Sequence, residues 1–150
     1  MLDHDFVKFP ELRNNQLADL EFSSPHPQLK EDFWATVVKV HDGDTVSLSV
    51  PDRDFVFPLR LAKINAPELS EGGHVARDWL KARLEGAEVY IKLSPERVEK
   101  WGRLLGSILH NGSDVADDMV FLGLATPYDL RHDGEIINPL EGYKWSVMSA

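Results

Sequence analysis

A chain of 150 residues with 25 Asp+Glu, 16 Lys+Arg and no cysteine is long enough for one domain with a core and too short for two comfortable ones. Without cysteine, disulfides and thiolate metal sites are excluded, and any metal must be held by oxygen or imidazole. The formal charge of -9 is unlike the basic surface of a protein that grips long nucleic acid through its phosphates. Summed charge still allows basic residues such as Arg60, Lys63, Lys100 and Arg103 to gather locally.

Met1 to Lys8 lack a basic start and an apolar run, which predicts no secretory signal, and no stretch is long enough to span a bilayer. Residues 1–32 read as a polar N-terminal extension, with Ser23-Ser24-Pro25-His26-Pro27 opposing regular structure at its centre. Within it, Glu11 to Leu20 has the pattern of a short helix with Leu17 and Leu20 on one side, packed on the domain or docked to a partner.

The domain expected over residues 33–126 begins with Phe33 to Val40, rich in β-branched and aromatic residues, and resumes with cleanly alternating Thr45 to Val50. Between them, Asp42-Gly43-Asp44-Thr45 sets two carboxylates around a glycine where a strand ends, turns and restarts. Asp-Gly is an ordinary hairpin turn. Oxygen ligands at such a turn also suit a hard cation such as calcium, with carbonyls and waters completing the shell. Pro51-Asp52-Arg53-Asp54 turns the chain into a third strand, Phe55 to Ala62, in which Pro58 marks an irregularity or an unpaired edge. Ala66-Pro67-Glu68 ends it.

From Gly73 the period changes: Val75, Trp79, Leu80 and Leu84 fall at helical spacing, with Gly86 as a stop. Val89, Ile91 and Leu93 alternate as a fourth strand, Leu104 to Leu109 is a fifth, and Asn111-Gly112 is a turn. Asp114 to Leu122 then reads as a helix closed by Gly123. Periodicity by itself yields a small α+β domain, mainly β. Residues 127–150 form a loop-like C-terminal tail with Tyr143 and Trp145 as apolar anchors. Such aromatics usually tie a tail to its own domain, and the two extensions also offer contacts to protein partners. The six His lack ligand spacing and are assigned no metal.

Three motifs stand in a telling order: the Asp42-Gly43-Asp44-Thr45 turn, the run Leu59-Arg60-Leu61-Ala62-Lys63-Ile64-Asn65-Ala66-Pro67-Glu68, and Glu99-Lys100-Trp101-Gly102-Arg103-Leu104. Together they resemble the staphylococcal nuclease (thermonuclease) family over about residues 33–125. The resemblance implies a five-stranded closed barrel of the oligonucleotide-binding (OB) type with two to three helices. It also implies a calcium-dependent phosphodiesterase, endonuclease or exonuclease, that cuts DNA or RNA on the 5′-oxygen side and leaves 3′-phosphates. Single-stranded or frayed substrate suits a groove that admits splayed bases. No membrane is an expected partner, and the expected location is cytoplasmic or within a larger particle.

Phosphodiester hydrolysis adds negative charge to a phosphorus centre already carrying one, so a site must supply positive charge and position a water. Under the resemblance, Arg60 and Arg103 hold the phosphate with planar, permanently charged forks, where surface ion pairs are the plainer reading. Glu68 is then the general base or the holder of the attacking water, rather than a solvated turn carboxylate. Asp44, the Ala66 carbonyl and Asn65 are the calcium ligands, with Asp42 and Thr45 shaping the turn behind them. Lys100 and Trp101 contact phosphate and base, unless Trp101 packs in the barrel rim, and Tyr128 lines the same cleft. Asn65 departs from the family pattern, which usually has aspartate there; an amide keeps an oxygen donor but loses a charge, so a weaker calcium site is expected. Two other readings stay open: a weak or inactive nuclease-fold module serving assembly or nucleic-acid binding in a larger complex, and a plain oligonucleotide-binding domain.

Overall fold

A computed structural model describes residues 3–128; the tail anchors Tyr143 and Trp145 lie outside the described residues. In chain order the elements are α1 (Asn14–Leu20), β1 (Phe33–Asp42), β2 (Thr45–Ser49), β3 (Phe57–Leu61), β4 (Ile64–Asn65) and α2 (Gly73–Leu84). There follow β5 (Glu88–Val98), β6 (Leu104–His110), β7 (Ser113–Asp114), α3 (Val115–Phe121) and β8 (Thr126–Pro127). Among the described residues no helix is long and apolar enough to cross a membrane.

Five strands run in the order β3-β2-β1-β5-β6, antiparallel throughout, and parallel pairing of β3 with β6 closes them into the OB-type mixed barrel that the resemblance implied. The interior is filled from alternate positions, as the two-residue period of a strand demands: Val46 and Leu48 of β2, Phe57, Leu59 and Leu61 of β3, Ile91 of β5, and Leu104 and Ile108 of β6 are all buried. In β1 a register shift between Val37 and Lys39 breaks the alternation. The bulge lets Val37 and Val40 both face inward. Pro58 lies opposite Ser47 and just outside the β3–β6 pairing, which begins at Leu59. The barrel thus closes after the residue that has no amide hydrogen to give.

α2 covers the barrel with Gly73, Ala76, Leu80 and Leu84 buried, whereas Val75, expected on its apolar face, is 54% exposed. Leu80 and Leu84 are buried as expected and Trp79 packs against the core; only in the first turn does small Ala76 take the inward place expected of Val75, against the β1–β2 turn. A Cβ on Gly43 would lie 2.9 Å from the Cβ of Ala76 and 2.6 Å from that of Ala66. Glycine at 43 therefore answers a close approach of neighbouring chain. α3 starts under a side-chain cap, with Asp114 Oδ1 accepting from the Ala116 amide at 2.9 Å. It ends where Gly123 adopts φ 75° and Leu124 N–H reaches back to the Met119 carbonyl at 2.8 Å.

One feature had no counterpart in the sequence pattern. β4 and β8 pair as a two-stranded ladder, Asn65 opposite Thr126 and Ile64 opposite Pro127, too short to leave a periodic signal. The segment before β1 packs on the barrel, one of the two readings its helical pattern allowed: α1 buries Leu20, Leu12 ahead of it is fully buried, and Glu11, at 3% exposed, ion-pairs with Arg53 and Arg97. The Arg53 guanidinium lies 4.7 Å from the ring centre of Phe57 and donates to the Pro27 carbonyl at 3.0 Å. Charges buried this deeply persist only with such partners.

Candidate active site

The β1–β2 turn is knotted by its own side chain, with Asp42 Oδ1 accepting from the Asp44 amide at 3.0 Å. The Asp44 carbonyl accepts from the Leu61 amide at 2.8 Å, and Thr45 stands opposite Arg60 in the β2–β3 register. Strand pairing alone thus brings Asp44, Thr45 and Arg60 together from two separated motifs.

Arg60 extends along the start of β4. Its Nη1 donates to the carbonyls of Leu61 and of Ile64, the latter at 2.8 Å, and its Nη2 donates to Asn65 Oδ1 at 2.8 Å while lying 3.5 Å from Asp44 Oδ2. Asp44 Oδ2 also accepts from the Ala66 amide at 3.2 Å, and Oδ1 accepts from the Thr45 hydroxyl at 3.1 Å. Arg103 arrives from the start of β6: Nη1 donates to Thr45 Oγ1 at 3.2 Å and Nη2 to Glu99 Oε2 at 3.0 Å. Glu99 Oε1 takes the Arg103 amide at 2.9 Å. Two guanidinium groups therefore face one carboxylate, Arg60 directly and Arg103 through a hydroxyl. The buried Nε of Arg103 has no hydrogen-bond partner among the described residues.

Beside this network lies a cleft of about 330 Å³ lined by Asp42, Asp44, Ala66, Pro67, Glu68 and Leu69. Glu68 is exposed at its mouth, and its carbonyl accepts from the Gly73 amide at 2.9 Å, tying the cleft to the start of α2. Burial pushes the Asp44 carboxyl above the usual carboxylate range; Arg60 opposes the shift, and the neighbouring Asp42 adds to it. A half-buried carboxylate crowded by a second one is a place where a cation's charge is welcome. The donors are oxygens, which suit a hard cation such as calcium. Among the described residues no three His, Asp or Glu gather as a metal site; Asp42 and Asp44 are the two carboxylates that meet here, Asp44 already accepting from Thr45 and the Ala66 amide and Asn65 Oδ1 engaged by Arg60.

The remaining residues singled out from the sequence sit apart from this cleft. Lys100 and Trp101 occupy the β5–β6 turn just before Arg103, with Lys100 Nζ 5.4 Å from the Trp101 ring centre and Trp101 67% exposed; the indole stands in solvent rather than packing into the rim. Tyr128 follows β8, its amide donating to the Lys63 carbonyl at 2.6 Å. Lys63, grouped with the basic residues in the sequence, is bound to Asp114 at 2.7 Å, which raises its pKa, so its charge is turned toward α3. Glu99 was not foreseen as a site residue. Its only signal is spacing: a carboxylate four positions before Arg103 across a tight turn.

The family model described as staphylococcal nuclease homologue matches residues 58–140, more than half of the chain. The matched stretch carries Arg60, Glu68 and Arg103; the Asp42–Thr45 turn lies ahead of it. Among curated proteins, the chain is 29% identical over 130 residues to Endonuclease YhcR of Bacillus subtilis (strain 168), an alignment that covers 77% of this chain and 11% of that protein. With the closed barrel and the convergent arginines already in place, the match leaves one conclusion on kinship: the chain belongs to the staphylococcal nuclease homologue family.

Proposed function

We propose that this chain is a calcium-dependent nuclease that hydrolyses phosphodiester bonds of DNA or RNA on the 5′-oxygen side, leaving 3′-phosphates. The observation that carries the reading is the convergence of Arg60 and Arg103 on Asp44, one directly and one through Thr45, beside a cleft with Glu68 at its mouth. Two forks can bind a phosphate's oxygens and stabilise the charge that grows on them during attack. Glu68, exposed and lining the same cleft as Asp44, holds the attacking water and takes its proton. Calcium, when bound, would supply positive charge to offset the negative charge growing on the phosphate, and Asp44, Asp42 and the Ala66 carbonyl would hold it. Asn65, whose Oδ1 now accepts from Arg60, would be free to add an oxygen to that set if Arg60 turned to a phosphate. Lys100 and exposed Trp101 flank Arg103 and offer a charge and a stacking face to a neighbouring nucleotide, which favours single-stranded substrate.

The test is hydrolysis of single-stranded and duplex DNA and RNA, with calcium against chelator, beside Arg60→Ala and Glu68→Gln. Calcium-dependent cleavage with 3′-phosphate ends, lost in both variants, is expected. Absence of cleavage by the folded wild-type protein would overturn the reading.

A further inference from the structure

The segment before β1 lies outside the stretch that the family model matches, yet it grips the part of the barrel that delivers Arg103. β5 and β6 fall out of step between Leu93↔Gly106 and Val98↔Leu104, so residues 94–97 bulge from the ladder. Arg97 closes the bulge at φ 63° while only 6% exposed, a left-handed conformation that a bulky residue keeps only when its surroundings impose it. Those surroundings come from the N-terminal segment. Arg97 Nη1 donates to the Leu12 carbonyl at 3.0 Å and to Asn14 Oδ1 at 2.9 Å, and Nε donates to the Leu29 carbonyl at 2.9 Å. Asn14 Nδ2 donates in turn to the Pro95 carbonyl at 2.9 Å.

The same segment also holds the far end of the turn. Gly102 has φ 89°, and a Cβ there would lie 2.6 Å from Cδ1 of Phe9, so the Phe9 ring rests directly on its backbone. Between the two grips, the Glu99 amide donates to the Arg103 carbonyl and the Gly102 amide to the Glu99 carbonyl, both at 2.9 Å.

We infer that residues 9–14 form a positioning arm: Asn14 on the bulge and Phe9 on Gly102 together set the turn from which Arg103 reaches Thr45. The inference rests on the proposed role of Arg103 at the phosphate. Neither arm residue lines the carboxylate cleft. Without the arm, Arg97 would be a buried guanidinium short of acceptors, which draws the bulge toward solvent and carries the Glu99–Arg103 turn with it. A misplacement of about 1 Å at a catalytic group costs on the order of 100-fold in rate.

The experiment uses the full chain with Asn14→Ala, whose side chain is exposed and whose loss spares the core, and with Phe9→Ala and Phe9→Tyr. Three quantities are measured: kcat and KM on single-stranded DNA with calcium, the melting temperature, and amide hydrogen exchange at residues 99–103. Asn14→Ala and Phe9→Ala are expected to lower kcat about tenfold with little change in KM and a modest fall in melting temperature. Exchange at Gly102 and Arg103 should quicken while that of α2 does not, and Phe9→Tyr should restore both readouts. Folded alanine variants with wild-type exchange at the turn would overturn the arm. If the wild-type protein cleaves nothing, the proposed function falls, while faster exchange in the variants still upholds the arm.

Discussion

Arg60 Nη2 donates to Asn65 Oδ1 at 2.8 Å, so the amide that stands at a position of expected metal ligation serves the arginine. Replacing it by a carboxylate changes which partner wins. Asn65→Asp places a second full charge within reach of both Arg60 and a cation at Asp44, and calcium affinity rises with ligand charge. Calcium titration should show a dissociation constant lower by about tenfold, or ~1.4 kcal/mol, with cleavage retained or raised. Affinity left at the wild-type value would mean that Asn65 stays with Arg60 throughout and never faces the metal.

Thr45 is 7% exposed and its hydroxyl is the only link between Asp44 Oδ1 and Arg103 Nη1 that the described residues provide. Thr45→Val keeps the shape and removes the link, leaving a carboxylate oxygen and a guanidinium nitrogen short of a partner. Loss of about 1–3 kcal/mol in a denaturant titration is expected, together with at least about a tenfold fall in kcat if Arg103 depends on that hydroxyl for its placement. Thr45→Ser should return most of both. A kcat that survives in Thr45→Val would show that Arg103 is held by Glu99 alone.

How far the sequence could be read follows from the length scale of each feature. Strands of five or more residues and the two helices after Gly73 announce themselves by period and by Gly and Asp punctuation, and Asp44 and Arg60 meet because adjacent strands pair. Closure of the barrel is a long-range fact that no local pattern carries; it entered through the resemblance. Glu11, Arg53 and Arg97 are scattered along the chain, and each looks like surface until the fold buries them together. The Arg60–Asn65 bond was hidden for another reason. A side-chain oxygen reads identically in sequence whether it awaits a cation or already accepts from a neighbour.

Gly43 is held by sterics that an alanine tests directly. An added methyl meets Ala66 and Ala76 at 2.6 and 2.9 Å, so the turn must lift away from α2 or the helix must shift. Gly43→Ala should destabilise the fold by about 1–3 kcal/mol, as overpacking does, and Asp44 should move with the turn, weakening the calcium binding proposed for it. Adding Ala76→Gly removes one of the two contacts and should recover part of the loss despite the helix cost of glycine. A double variant no more stable than Gly43→Ala would place the strain at Ala66.

Asp118 gives the fold an acid-sensitive clasp. Its Oδ2 accepts from Arg83 Nη1 at 2.5 Å and from the Ser113 hydroxyl at 2.7 Å, and these hydrogen bonds, Arg83 first, hold the carboxyl below its ordinary pKa. A depressed folded-state pKa means that the stabilisation is fully present above the unfolded value, near 3.9, and is lost as pH falls through the folded one. The carboxylate is partly open to water, so its pair with Arg83 is worth at most about 1 kcal/mol. Asp118→Asn should therefore be slightly less stable than the wild type at neutral pH. The two melting curves should draw together as the pH drops below 4, with the wild type losing more. Parallel curves across that window would mean that Arg83 finds equal support in the His110 carbonyl, to which its Nη2 already donates at 3.3 Å.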